Sequence, residues 1–336
     1  SSVNAAIRPF VLLMEQSLNG IGVGYTTINH GRIVLHEPDA AEPVDWVVQD
    51  TRESWAESLG VLLESYFFPN RSKVNFVYDL IRPSGSPLGR SGGQASGPEP
   101  LRRMHIKISE LLSARVGEEL RDLDIMDICN LAAKAVVAGG KRRSALLSLG
   151  SMDSKEFINA KNWEVYPERC GSDGWAHLSN NSVQFSGSED VSHLFDLIAS
   201  NGEPGLVNLD LARRYGRLGD APNNKDEKVV CVNPCAEIVL EPFELCNLSE
   251  LFMPHFDSKA EFLRTIKYAY LYSKAVTLLP TPWPEVNEVI VRNRRIGLSV
   301  TGVTQFLEDH SWNDLRSWLD EGYGEVQTWD EKYSSW

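Results

Sequence analysis

An α/β fold is predicted by three features of this 336-residue sequence. Helical apolar patterns alternate with short strand-like segments such as RRSALLSLG, SNNSVQF and GLVNLDLA. No fixed-period repeat interrupts that rhythm. The apolar content, 42%, is enough to build one large core or two domains.

The elements follow in order. A helical pattern over VLLMEQSL (11–18) runs into GIGVGY, where Gly20, Gly22 and Gly24 alternate and imply a close approach of the backbone to a neighbour. This is not a dinucleotide-binding fingerprint, because the glycines follow a helix and are spaced G-x-G-x-G. One helical face is apolar over 51–68, and VNFVYDLI (74–81) reads as a buried strand. The Gly-, Pro- and Ser-rich stretch 82–101 reads as a flexible linker or a functional loop. Helices are expected over 104–116 and 125–138, the second ending at Gly139-Gly140. Two more are expected over 260–279 and 283–307, the latter broken near Gly297. Trp312, Trp318, Trp329 and Trp336 crowd the end, where some would be exposed without a covering partner.

Charge and composition remove several function classes. A net charge of −13 repels a phosphate backbone, and the basic clusters at 141–143 and 292–295 are short, so local anion sites are expected and no nucleic-acid partner. No run approaches the roughly 18 apolar residues of a membrane span, and SSVNAAIRPF lacks the order of a secretory signal. A cytoplasmic protein is expected. Five cysteines are too few for a secreted disulfide scaffold.

Three of those cysteines lie in CVNPCAEIVLEPFELCNL (231–248). Zinc is one reading, but C-x3-C-x10-C fits no common knuckle and the cluster holds no histidine. No metal is assigned. Burial as a small hydrophobe is a second reading, suited to Cys129, Cys170 and Cys231. Redox or radical chemistry is the third. Asn233, Cys235 and Glu237 alternate, so an extended segment would turn amide, thiol and carboxylate to one side. Pro234 keeps a helix away from Cys235, and EIVL continues as a strand, which suggests a loop tip inserted in a pocket. A neighbouring carboxylate disfavours a thiolate. Hydrogen-atom chemistry needs the neutral thiol, Glu237 suits a general base, and Asn233 suits a hydroxyl-binding amide.

At these residues the sequence resembles the catalytic chain of ribonucleotide reductases, in particular the monomeric, adenosylcobalamin-dependent (class II) ribonucleoside-triphosphate reductases. The family's NPCGEI followed by CNL stands here as NPCAEI (233–238) and CNL (246–248), with the two cysteines at the family's separation. NGIGVGY, VVQDTRESWA, IRPSGSPLGRSGGQASGPEPL, DICNLAAKAVVAGGKRRSALLSLGS, SNNSV, NGEPGLVNLDLARRYGR and NRRIGLSVTGV agree in order, so the resemblance spans almost the whole chain. It implies a ten-stranded α/β barrel of two half-barrels with a central finger loop, incomplete here, and a single catalytic barrel domain over 1–336. It implies reduction of ribonucleotides to 2′-deoxyribonucleotides with adenosylcobalamin as cofactor. Cys235 would be the thiyl initiator, Glu237 the base, Asn233 the sugar-binding amide and Cys246 one of a reducing pair. Gly22 and Gly24 match a glycine turn beside the substrate; a plain tight turn is the bland alternative. Gly139, Gly140, Arg142 and Arg143 match a loop through which a nucleotide effector sets base specificity, a solvated basic face being the alternative. A thioredoxin-like reductant completes the implied partners.

The match departs at both ends. Counting back from Ile7-Arg8-Pro9 puts Ser2 where the family has its second redox cysteine, although slippage of a residue or two would put that cysteine before Ser1. The family's phosphate-gripping loop and C-terminal cysteine pair are not in these residues, so an incomplete catalytic chain completed by a separate C-terminal chain is expected, a shortened piece of a longer chain and a compact variant being the alternatives. A nucleotide-binding remnant without catalysis, and a related reductase with another radical source, are the rival readings.

Overall fold

A computed structural model describes residues 2–28, 30–89, 93–138, 140–216 and 219–335, with the side chains of 2–4 and 138 outside that description. It divides into two compact units, Ser1–Val239 and Leu240–Trp336.

The first unit opens with α1 (Ser2–Leu18), β1 (Val23–Thr26), β2 (Asp39–Val47), α2 (Arg52–Phe67) and β3 (Ser72–Val77). Helices α3 (Glu99–Ser113) and α4 (Asp122–Ala135) lead to a small hairpin, β4 (Val137–Ala138) and β5 (Lys141–Arg142). Then come β6 (Leu146–Ser151), α5 (Lys155–Ile158), α6 (Pro167–Cys170), β7 (Ser179–Gln184), α7 (Phe195–Asn201), β8 (Gly205–Val207) and α8 (Leu209–Arg214). The short strand β9 (Cys231–Val232) precedes the cysteine loop, and β10 (Val239–Leu240) follows it.

The centre of this unit is a four-stranded sheet of order β1-β6-β7-β8, parallel at every pairing. A parallel sheet is normally covered on both faces, and β6 is buried along nearly its whole length. On one face Leu146 joins a helical core with Phe10, Met14, Leu59, Leu63 and Ile128. On the other, Leu147 and Leu149 pack with Leu209, Cys231 and Val232. The register Val23↔Leu146 and Gly24↔Leu147 places Gly24 on this second face, beside the cysteine loop.

The second unit contains β11 (Asn247–Phe252), α9 (Lys259–Val276), α10 (Pro284–Asn293), β12 (Ile296–Thr301), α11 (Val303–Asp309) and α12 (Trp312–Ser334). β11 and β12 pair in parallel from Asn247↔Ile296 to Phe252↔Thr301. Met253, Phe262, Ile266, Phe306, Leu315 and Trp318 form its core.

The α/β class stands as predicted. Among the described residues the strands form one sheet of four and several pairs, and no ring of ten strands closes. Several boundaries differ from the sequence reading. The first helix begins at Ser2 rather than 11, with Pro9 inside it, because Ile7 and Phe10 extend the buried stripe. The second starts at an N-cap where Thr51 accepts from the Ser54 amide. Helix α4 stops at Ala135, and the next residues enter the hairpin β4–β5.

The stretch 283–307 holds a strand between two helices. It turns at Arg294, whose φ is +46°, and Gly297 lies inside β12 opposite Leu248, so tertiary pairing overrides the helical pattern. The 82–101 segment is a folded loop: the Gly85 amide donates to Ala95 O at 2.9 Å and the Ala95 amide to Ser86 O at 2.7 Å. Of the terminal tryptophans, Trp318 is buried, Trp329 packs against the core, Trp312 is exposed, and Trp336 lies outside the described residues. No helix among the described residues is long and apolar enough to cross a membrane.

Candidate active site

The cysteine loop grows directly out of β9. Cys231 is buried against Leu147 and Leu149, and burial pushes its thiol up to about 12, so it serves packing. Cys129 is likewise buried and its thiol raised by burial, whereas Cys170 is only half-buried. With Cys231 facing the sheet and Cys235 exposed, the zinc reading loses its geometry. Among the described residues no group of three or more His, Cys, Asp or Glu side chains is placed to hold a metal.

Beyond Val232 the chain makes a closed turn instead of the expected extended segment. The Asn233 amide donates to Ile238 O at 3.0 Å, and the Ala236 amide donates to Asn233 O at 2.9 Å. The Asn233 side chain completes the closure: its Nδ2 donates to Glu237 Oε1 at 2.6 Å and its Oδ1 accepts from the Ile238 amide at 3.1 Å. Ala236 pays for this with a φ of +65°, the left-handed region that β-carbons resist. The turn thereby joins amide and carboxylate directly, which alternation along a strand would not do. Cys235 and Glu237 are exposed at its tip, and Pro234 is buried beneath. The tip is open here rather than inserted in a pocket.

Gly22 and Gly24 permit the close approach expected of them, and what approaches is the loop itself. A β-carbon on Gly24 would stand 1.6 Å from Val232 O, and one on Gly22 would stand 2.9 Å from Pro234 Cγ. From β7, Asn180 donates its Nδ2 to Pro234 O at 2.8 Å.

Cys246 belongs to the second unit, half-buried just before β11, with its Sγ donating to Asn247 O at 3.8 Å. The loop leading to it is fastened by two carboxylates. Glu244, whose side chain is fully buried, accepts from Arg295 Nε at 2.7 Å and Asn293 Nδ2 at 2.9 Å. Asn293 Nδ2 also donates to Glu241 Oε1 at 2.8 Å, and the Glu241 amide donates to Glu244 Oε2 at 2.7 Å.

Ser2 begins α1, but its side chain lies outside the described residues, as does the whole of Gly139. Gly140, at φ +72°, is exposed in the hairpin turn. Arg142 donates Nη1 to Leu178 O at 3.2 Å. Arg143 lines a cavity of about 670 Å³ together with Asp50, Arg52, Arg82, Ser96 and Gly97. Arg82 pairs with Asp50 at 2.6 Å. The residue-by-residue reading singled out none of Asp50, Arg52, Arg82, Asn180, Glu244 and Arg295. Their segments carry no diagnostic spacing, and only the wider motifs VVQDTRESWA, IRPSGSPLG, SNNSV and NRRIGLSV mark the place of all but Glu244.

Comparison with known proteins finds relatives over nearly the whole chain. Residues 188–313 match the family model described as ribonucleotide reductase, barrel domain, and residues 28–112 match that described as B12-dependent ribonucleotide reductase, insertion domain. A probable adenosylcobalamin-dependent ribonucleoside-triphosphate reductase of Dictyostelium discoideum is 38% identical over 98% of this chain and 45% of its own length. An adenosylcobalamin-dependent ribonucleoside-triphosphate reductase of Euglena gracilis is 39% identical over 98% of this chain and 45% of its own. The crystal structure of a B-12 dependent (class II) ribonucleotide reductase superposes with a TM-score of 0.82 at 30% identity, covering 98% of this chain and 53% of that one. The chain thus spans about half the length of the curated relatives it matches.

A parallel sheet with a thiol-bearing loop packed on one face is an α/β arrangement, and the fold is that of a class II ribonucleotide reductase of known structure. Nearly the whole chain is similar to about half of the length of adenosylcobalamin-dependent ribonucleotide reductases, and two separate stretches of it match models of that family.

Proposed function

We propose that this chain carries the thiol chemistry of an adenosylcobalamin-dependent ribonucleoside-triphosphate or diphosphate reductase, which converts ribonucleotides to 2′-deoxyribonucleotides. The observation that carries the reading is the closed turn in which Asn233 holds Glu237 at 2.6 Å, with the Cys235 thiol exposed between them.

An exposed sulfur at a loop tip fits a bulky cofactor, because its approach is open. When bound, adenosylcobalamin supplies hydrogen-abstracting radical chemistry. Cys235 is the side chain that relays a hydrogen atom to and from the ribose 3′-carbon. Glu237 takes the 3′-hydroxyl proton as the 2′-hydroxyl departs as water, and Asn233 orients both carboxylate and sugar. Replacing the 2′-hydroxyl by hydrogen consumes two electrons and two protons, which two thiols deliver on becoming a disulfide. Cys246 is one of the two, and an external thioredoxin-like dithiol resets the pair by exchange.

A nucleotide effector is assigned to the cavity lined by Arg52, Arg82 and Arg143, whose guanidiniums suit phosphates and whose Arg143 follows the β4–β5 hairpin. Full turnover is assigned to this chain together with the remaining length of the family's catalytic chain, on the same or a companion polypeptide. A cytoplasmic location is consistent with five cysteines that all stand unbridged.

The test is electron paramagnetic resonance and deoxynucleotide assay of the protein with adenosylcobalamin and a ribonucleoside triphosphate. A coupled cobalt–thiyl signal lost on Cys235→Ser supports the reading. Product formation that survives Cys235→Ser rejects it.

A further inference from the structure

The Pro234 carbonyl belongs to the peptide group that ends in the Cys235 nitrogen, so whatever fixes that carbonyl fixes the plane from which the thiol projects. Asn180 donates to it at 2.8 Å from a neighbouring strand. Strand register explains why this side chain is available. Leu147 pairs with Asn180 and Leu149 with Ser182, which puts Asn180 on the face where Cys231 and Val232 pack. Its neighbours Ser179 and Asn181 turn to the opposite face, where both are buried and the Ser179 hydroxyl donates to Asn181 Oδ1 at 2.9 Å.

The other two anchors of the loop are contacts rather than bonds. Gly24 receives Val232 O and Gly22 receives the Pro234 ring, and contact of this kind limits distance without fixing direction. Direction matters because the turn holds Ala236 at a φ of +65°, a conformation that persists only when its surroundings enforce it. Asn180 is exposed, so a purely packing role for it is excluded.

From these relations we infer that Asn180 is a positioning residue for the cysteine loop: its amide orients the Pro234–Cys235 peptide so that the thiol faces its substrate in one direction. The inference rests on the reading of Cys235 as the hydrogen-relaying thiol, but its geometric half does not.

Two variants separate the halves. Asn180→Ala removes the donor, and Asn180→Asp keeps the shape while presenting, at neutral pH, a carboxylate that accepts but cannot donate. In both, amide hydrogen exchange of the 233–238 peptide is expected to quicken by about fivefold, the weight of one ordinary hydrogen bond, with the unfolding midpoint lowered by no more than that one bond accounts for. In the holoenzyme with its completing segments, kcat is expected to fall by about tenfold or more while KM for the nucleotide stays put. Unchanged exchange in both variants overturns the proposal. So does a loosened loop with undiminished kcat. If the native protein makes no deoxynucleotide with adenosylcobalamin, the functional reading fails, and the exchange measurement still decides whether Asn180 anchors the loop.

Discussion

Asn233 donates to the Glu237 carboxylate at 2.6 Å, and the Cys235 thiol stands exposed on the arc between them. Glu237→Gln retains an oxygen for the Asn233 amide to meet, so the turn survives while the base is lost. Deoxynucleotide formation is expected to drop by about 10²–10⁴-fold, the usual weight of a general base, with Cys235 alkylation not slowed, because the lost negative charge favours the thiolate. Alkylation that slows as much as turnover would show that the carboxylate acts on the loop shape instead.

Ala236 occupies left-handed backbone at φ +65°. Ala236→Gly removes the β-carbon clash, worth roughly 1 kcal/mol, partly offset by the entropy of a more flexible unfolded chain. Urea unfolding is expected to shift to a slightly higher midpoint at constant slope.

Gly22 and Gly24 differ in what an added β-carbon meets. At Gly24 it would meet the Val232 carbonyl, which is backbone, and at Gly22 the edge of the Pro234 ring. Gly24→Ala is expected to displace the loop and cost about 10²-fold in turnover, as a displacement near 1 Å does. Gly22→Ala is expected to cost less. Equal effects would remove the distinction.

Glu244→Ala leaves the Arg295 charge without its buried carboxylate. Breaking a buried pair from one side costs about 3–5 kcal/mol, so the second unit is expected to unfold at distinctly lower denaturant concentration. Glu244→Gln, which keeps an acceptor for Asn293, is expected to fall between.

His105 is buried between Ser58, which bonds its Nε2 at 2.9 Å, and Tyr78, which bonds its Nδ1 at 2.8 Å. Burial lowers its pKa from 6.5 to about 3. The folded protein therefore keeps it neutral while the unfolded chain takes up a proton below its ordinary pKa. Its contribution is full above pH 6.5 and declines toward pH 3, by about 1.4 kcal/mol per unit at the steepest. His105→Gln is expected to flatten that part of the stability profile measured by urea titration.

The sequence by itself determined the α/β class, the four long helices of the first unit and the place of the cysteine loop, because apolar periodicity and the 233–248 motif are local properties of the chain. It placed a strand-like segment over GLVNLDLA, whose first residues form β8, and helices from 51 and from 260, near where α2 and α9 begin. Only tertiary structure decided the rest. Whether 296–301 is helix or strand depends on β11 lying beside it, and local preference cannot report a partner 49 residues away along the register Asn247↔Ile296. The turn at 233–238, the glycines receiving it and the Asn180 amide that bonds it come from three separate stretches of the chain. Their meeting costs backbone strain at Ala236 that no local rule favours, and it is the packed sheet beneath that makes the strained turn the stable one.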